Sequence, residues 1–256
     1  MKPYACPTPE VQRRAEAILA QVGTDLAYFT LIADLTTLSQ RCRFACCPAH
    51  GPGDALVARY LDLPFAAVAF YGEGPALREA LGMLLAEGEL CYALVGDEQR
   101  TQLEAIARVL QVDPEWQMIY QGDPAALPAG GALPLGVDDF PAMLALARRG
   151  QMMAFEPNAL DKGPYYGVWR DGRLASMAGT HLRLERATEI GNVVTDPAHR
   201  RQGLATMAVA ALVRALRAEG TMVMLQVFTS NAAAIALYEK LGFVRARLMY
   251  LIQFAL

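Results

Sequence analysis

The stretch EIGNVVTDPAHRRQGLATMAVAALVRALRAE, Glu189–Glu219, reads as a buried strand, a basic turn and a helix. Ile190, Val193, Val194 and Thr195 supply a β-branched run, and Asp196 with Pro197 ends it on a turn signal. After Gly203 the density of Ala, Leu, Met and Arg predicts a helix over Leu204–Glu219, closed by Gly220. Between strand and helix lie Arg200, Arg201, Gln202 and Gly203. Glycine there lets a ligand approach the backbone, the first helical turn has N–H groups without intrahelical acceptors, and two arginines add positive charge. Such a turn is an anion cradle suited to phosphate.

Working outward, Met222–Thr229 is apolar on both faces and rich in β-formers, which predicts a central strand. Ser230 or Asn231 caps a helix that reaches Leu241 and stops at Gly242. Asn231 and Tyr238 are two helical turns apart, so they share a face at a separation of about 10 Å. Phe243–Phe254 follows as one long strand. Upstream, Asp138 and Asp139 precede an amphipathic helix at Phe140–Arg149, and Gln151–Pro164 reads as a loop holding Met152, Met153 and Phe155. Tyr165–Arg170 then forms a strand that turns at Asp171 and Gly172 into Leu174–Leu184, so three antiparallel strands lead to the basic turn.

The first half alternates strand and helix less regularly. A helix is expected over Pro9–Gln21 with Thr8 as cap, and a buried helical stretch over Asp25–Leu38. The run from Arg41 to His50 holds Cys42, Cys46, Cys47 and His50, which are zinc-ligand types but lack the paired C-x-x-C spacing of a zinc knuckle, so a strand and loop with buried thiols is expected here and no metal site. Strands are then expected at Ala66–Tyr71, Leu90–Val95 and Glu115–Gln121, with helices at Pro75–Glu87 and Glu98–Leu110. Gly72–Pro75 is glycine-rich like the basic turn but carries Glu73 where that turn carries arginines, which favours a plain strand-to-helix turn. Asp123–Gly136, rich in Pro, Gly and Ala, reads as a linker region, giving an α/β domain at 1–122, a linker at 123–132 and a second domain at 133–256.

Composition bounds the function. The 256 residues carry a net charge of −3, but residues up to Pro134 hold 9 basic against 16 acidic side chains and the remainder 14 against 10. A mildly basic second half suits an anionic ligand, and no basic run resembles a nucleic-acid stripe. No segment reads as a signal peptide or a membrane span, since Gln226, Thr229, Ser230 and Asn231 interrupt the longest uncharged stretch. Five cysteines, an odd number, argue for reduced thiols, and a cytoplasmic location is expected.

Arg200, Arg201, Gln202, Gly203, Leu204 and Ala205, preceded by Val193–Pro197 and followed by Asn231, Ala234, Ile235, Leu237, Tyr238, Glu239, Lys240, Leu241, Gly242 and Phe243, resemble the ordered signature of the GNAT superfamily of N-acetyltransferases. The resemblance spans about Leu133–Leu256 and implies an α/β fold with a mixed, mostly antiparallel sheet. The α/β half in front of it is similar to the arrangement in glycine N-acyltransferase-like proteins, and its own element order suggests a degenerate GNAT-like copy without a cofactor loop. The resemblance further implies an acetyl-CoA-dependent enzyme. Backbone amides of Arg201, Gln202, Gly203, Leu204, Ala205 and Thr206 would hold the pyrophosphate of coenzyme A, with Arg200 beside them. Val193, Val194 and Thr195 would present a strand edge to the pantetheine arm, where the Glu189 and Met222 strands splay apart. The family often has glycine where this chain has Arg201.

By the same resemblance Tyr238 is the general acid toward the thiolate, and Asn231 with Ala234 contacts the cofactor arm. Helix capping by Asn231 and aromatic packing by Tyr238 are the competing readings. Glu189 resembles the glutamate that in some relatives takes the amine proton, and alternation places it on the same side as Val193. His181, on the neighbouring strand, is another candidate for that proton, and His199 reads as a surface residue. Phe155, Tyr165 and His181, with Met152 and Met153, suggest an apolar acceptor pocket or, equally, core packing. The expected reaction is direct acetyl transfer to the primary amine of a small molecule or amino acid, with self-association open. The alternatives are transfer of a longer acyl group and a non-catalytic acyl-CoA sensor.

Overall fold

The computed structural model describes residues 9–47, 55–153 and 155–256; Thr8 and His50 lie outside them. In chain order the elements of the first half are α1 (Pro9–Val22), α2 (Phe29–Leu35), β1 (Cys42–Cys47), β2 (Ala55–Tyr60), β3 (Ala66–Tyr71), α3 (Gly74–Leu84), β4 (Cys91–Val95), α4 (Asp97–Glu104) and β5 (Arg108–Tyr120). The second half continues with β6 (Leu133–Leu135), α5 (Phe140–Arg149), β7 (Tyr165–Arg170), β8 (Arg173–Arg183), β9 (Ala187–Thr195), α6 (Leu204–Ala218), β10 (Met222–Phe228), α7 (Ala232–Leu241) and β11 (Phe243–Ala255). Two compact units share these elements, one made of Met1–Glu115 with Leu248–Leu256 and the other of Trp116–Arg247. The division therefore falls inside β5 and β11, and not at the expected linker 123–132.

In the first unit β1, β2 and β3 pair antiparallel, β3 pairs β4 in parallel, and the end of β11 lies antiparallel on β4 from Tyr250↔Val95 to Phe254↔Cys91. Leu77 and Leu81 of α3 pack with Val57, Phe70, Ile252 and Phe254 on one face. Val11, Ile18 and Leu31 of α1 and α2 pack with Leu56 and Ala69 on the other. Each fully buried leucine contributes roughly 1.5–3 kcal/mol of transfer free energy. Burial on both faces is why these strands read as apolar runs without a clean alternation.

Two local readings, both of helix length, are corrected here. The helix expected over Asp25–Leu38 is cut to α2, preceded by a turn at Leu26–Tyr28 that the Asp25 carboxylate caps at the Ala27 N–H, 2.9 Å. At its end Thr36 and Thr37 hydroxyls bond back to the Ile32 and Ala33 carbonyls, which offers the backbone an alternative to further helix. The helix expected over Glu98–Leu110 ends at Glu104, and β5 begins at Arg108 because Val109 and Val112 pack against the first unit's core. In β1, Cys46 packs into one core and Cys47 into the other, so these neighbours point to opposite faces and cannot serve one ion together.

The β3–β4 pair is short. Only Ala66↔Cys91 and Ala67↔Tyr92 are in register, after which the strands part. Gln99 of α4, 4% exposed, fills the gap by donating to the Phe70 carbonyl at 2.9 Å and accepting from the Gly96 N–H at 3.2 Å. Gln99→Ala is expected to cost about 1–3 kcal/mol, because it strands a buried acceptor and a buried donor. Urea unfolding checks this, and an unchanged midpoint would show that neither bond matters.

In the second unit the strand order is β5, β10, β9, β8, β7, β6. Asp171 and Gly172, both with positive φ, make the tight β7–β8 turn. One face carries α6 and α7 over Val223, Leu225 and Val227; the other carries α5 over Met177 and Val194. The Pro/Gly/Ala stretch belongs to this unit. Leu127 is buried in its core, Arg214 of α6 donates to the Leu127 and Pro128 carbonyls at 3.0 and 2.7 Å, and β6 pairs with β7. Among the described residues no helix is long and apolar enough to cross a membrane.

Candidate active site

Two strands that begin paired and then part define the site. β9 and β10 run parallel through Ala187↔Met222, Thr188↔Val223 and Glu189↔Met224, and no pairing follows, although β9 continues to Thr195 and β10 to Phe228. The backbone edge of Val193, Val194 and Thr195 is thereby left without β10 as a partner, as a strand-like ligand would require. Val194 and Ser176 are joined by a hydroxyl-to-carbonyl bond of 3.1 Å on the β8 side, which anchors the other edge.

Beyond Thr195 the chain is fixed from two directions. The Asp196 carboxylate accepts from the Ala198 N–H at 3.0 Å and from Arg149 Nε at 2.6 Å, while Arg149 Nη2 also donates to the Leu174 carbonyl at 3.0 Å. These donors, the Ala198 N–H first and Arg149 after it, hold the Asp196 carboxyl below the usual range. Arg200, Arg201, Gln202 and Gly203 are exposed, and Arg201 and Gly203 adopt left-handed backbone, φ 60° and 76°. No side chain caps α6, and a Cβ placed on Gly203 would meet nothing within 4 Å. The start of α6 is thus uncapped and open at Gly203, directly after two exposed arginines in the chain, and the residues present fit a pyrophosphate.

Arg201 pays for its conformation, since a left-handed non-glycine residue costs roughly 1–2 kcal/mol. Arg201→Gly is expected to raise stability by about 1 kcal/mol and to weaken binding of a pyrophosphate-bearing ligand by a fewfold through loss of charge. Thermal unfolding and calorimetric titration read the two effects separately.

Asn231 caps α7, its Oδ1 accepting from the Ala234 N–H at 3.2 Å. Tyr238 is 7% exposed, with its ring edge-on to Phe243 at 5.8 Å. Burial alone pushes its hydroxyl up to about 12.

The side of β9 that holds Glu189 differs from expectation. Ile190 and Val193 both pack toward α6, whereas Val194 packs toward α5. The alternation is broken by a bulge at Asn192, φ 52°, so Glu189 and Val193 face opposite sides. Gly191 beside Asn192 inside a strand pattern was the sequence signal for that bulge. A second irregularity leaves His181 between the paired Thr180 and Leu182, and His181 Nδ1 lies 2.8 Å from Glu189 Oε1. Glu189 Oε2 and, on β10, Gln226 Oε1 are buried with no hydrogen-bond partner. Sequence reasoning gave Arg149, Asn192 and Gln226 no place in a site; Arg149 and Asp196 lie 47 residues apart and no local pattern links them. His199, expected on the surface, ends the turn at Pro197–His199 half-buried, with its Nδ1 shielded from solvent and without a hydrogen-bond partner.

Two acceptor-pocket candidates lie in packing. Tyr165 is 1% exposed, donates to the Thr180 carbonyl at 3.2 Å and accepts from Asn192 Nδ2 at 2.5 Å. Burial pushes its hydroxyl well above the usual tyrosine range. Phe155 stacks on Phe140 and meets Tyr165 edge-on. The loop that carries Phe155 holds a buried ion pair in which Lys162 Nζ reaches both Glu156 oxygens at 2.8 Å.

Comparison with known proteins agrees with this geometry. The family model described as the acetyltransferase (GNAT) family matches residues 138–243. The [ribosomal protein bS18]-alanine N-acetyltransferase of Escherichia coli is 34% identical over 118 residues, covering 44% of this chain and 79% of that protein. A GNAT-family acetyltransferase structure from Novosphingobium aromaticivorans superposes with a TM-score of 0.69 at 28% identity, covering 90% of this chain and 97% of its own. A tandem GNAT protein from the clavulanic acid biosynthesis pathway shares the fold at 18% identity and a TM-score of 0.65, over 99% of this chain and 97% of its own. With its parted β9 and β10, uncapped α6 and matching signature, the chain belongs to the GNAT family of acetyltransferases.

Proposed function

We propose that the second unit transfers the acetyl group of acetyl-CoA directly to a primary amine. The observation that carries this is the parting of β9 from β10 beside an uncapped helix start with Gly203 open to approach. Acetyl-CoA, when bound, supplies an acetyl group activated as a thioester. The N–H groups of Gly203, Leu204, Ala205 and Thr206 would hold its phosphates, with Arg200 and Arg201 adding charge, and the free edge of Val193–Thr195 would align its arm. Asn231, engaged in capping at Ala234, fixes the start of α7 and with it the position of Tyr238. Tyr238 Oη keeps its proton over the working pH range and can give it to the departing sulfur. The amine proton leaves through Glu189 and His181, which the structure brings together.

The acceptor we propose is a primary amine carried by a small molecule, an amino acid or a polypeptide; the E. coli relative is named for an alanine of ribosomal protein bS18. The first unit supports a reading as a divergent copy of the same fold. Its three antiparallel strands, helix and briefly paired parallel strand repeat the order of β7 to β10, and between β3 and β4 Gln99 fills a gap of the kind that stays open between β9 and β10. Thiol release from acetyl-CoA, measured across small amines, amino acids and alanine-starting peptides, tests the activity. Release with any amine supports transfer. Binding of acetyl-CoA without release from any acceptor favours the sensor.

A further inference from the structure

Three features place His181. It is the unpaired residue of the β8 irregularity, its Cβ rests on the bare α-carbon of Gly191, where an added Cβ would come within 2.9 Å, and its Nδ1 meets Glu189 at 2.8 Å. The two partners differ in access. The Glu189 side chain is 5% exposed and the His181 side chain 42%. A carboxylate that deep is disfavoured without donors, and His181 Nδ1 is the donor it has in the structure. That bond places the neutral ring's proton on Nδ1 and leaves Nε2 as a bare acceptor on the accessible side.

We propose that His181 Nε2 takes the proton of the incoming amine and that Glu189 is a positioning residue which fixes the His181 tautomer and ring orientation. This rests on the acetyltransferase reading. The amine nitrogen's lone pair forms the N–C bond as the C–S pair leaves with sulfur; the nitrogen's proton goes to Nε2 and the sulfur receives the Tyr238 Oη proton. Water then takes the proton from Nε2 and restores that of Tyr238. Gln226 Oε1, buried and unpartnered on β10, lies on the sheet face away from α6, as Glu189 does, and offers an acceptor for a second N–H of the amine. A Glu189 acting alone would have to meet an amine from a nearly closed position.

The test combines ring ¹⁵N NMR with kinetics, and three histidines per chain keep the assignment simple. In the parent protein above pH 8, His181 is expected as the Nδ1–H tautomer alone, and in Glu189→Gln as a mixture. His181→Ala is expected to lower kcat about 100-fold with KM for acetyl-CoA unchanged, and added imidazole should recover part of the loss. Glu189→Gln should lower kcat about tenfold at unchanged melting temperature. An Nε2–H tautomer in the parent, a His181→Ala rate within threefold of the parent, or loss without imidazole rescue would overturn the proposal. Absence of thiol release by the parent with every amine would overturn the acetyltransferase reading instead, and the tautomer would still decide the pairing.

Discussion

Tyr238→Phe is expected to lower kcat by about 10²–10³-fold while leaving acetyl-CoA affinity within about twofold. The ring is nearly buried and stands edge-on to Phe243, a contact that phenylalanine keeps. What is lost is one proton donor. Because burial holds that hydroxyl at about 12, up from 10.0, its ionisation should not depress the parent rate below about pH 11. The same shift has a stability sign. Above pH 10 the unfolded chain ionises Tyr238 and the folded one does not, so its contribution is full below that pH and falls away toward about pH 12. Steady-state kinetics with calorimetric titration of acetyl-CoA reads the separation. A kcat within threefold of the parent would remove Tyr238 from the chemistry.

Glu156→Ala should produce the largest loss of stability, about 3–5 kcal/mol. Both side chains of the Glu156–Lys162 pair are less than a tenth exposed, and Lys162 Nζ takes both carboxylate oxygens. Removing the carboxylate takes from a buried ammonium the counter-charge that it meets at 2.8 Å through both oxygens. Replacing both, as Glu156→Leu with Lys162→Met, should cost less than the single change, since the penalty comes from the uncompensated charge more than from the pair itself. Urea unfolding of the three proteins decides it, and a single variant that loses under 1 kcal/mol would show that the loop relaxes to hydrate the lysine.

The second half was legible because its signals are local. The β-branched run before Asp196, the helix-forming run after Gly203 and the glycine at 242 fall where β9, α6 and the end of α7 lie. Arg200 to Ala205 could be read as an anion site from backbone physics alone. What failed was alternation carried across Asn192, because one positive φ reverses every side chain beyond it and put Glu189 opposite Val193. His181 and Glu189 looked like rivals in sequence. Their partnership depends on two ladder irregularities, which periodicity does not encode. In the first half, helix propensity over Asp25–Leu38 and Glu98–Leu110 lost to local threonine hydrogen bonds and to core packing of Val109 and Val112. The Asp123–Gly136 stretch had a linker's composition, yet Leu127 and Arg214 bind it to the second unit, a tertiary fact with no local trace.

The membership of Leu248–Leu256 in the first unit has a consequence for biosynthesis. During translation β1 to β4 emerge early, but the antiparallel partner of Cys91–Val95 is made only after the whole second unit. At about 5–20 residues per second, the edge of β4 waits on the order of ten seconds or more for it. Through that interval the nascent chain carries an open strand edge beside a half-covered apolar face, which is where a ribosome-associated chaperone would find its binding site.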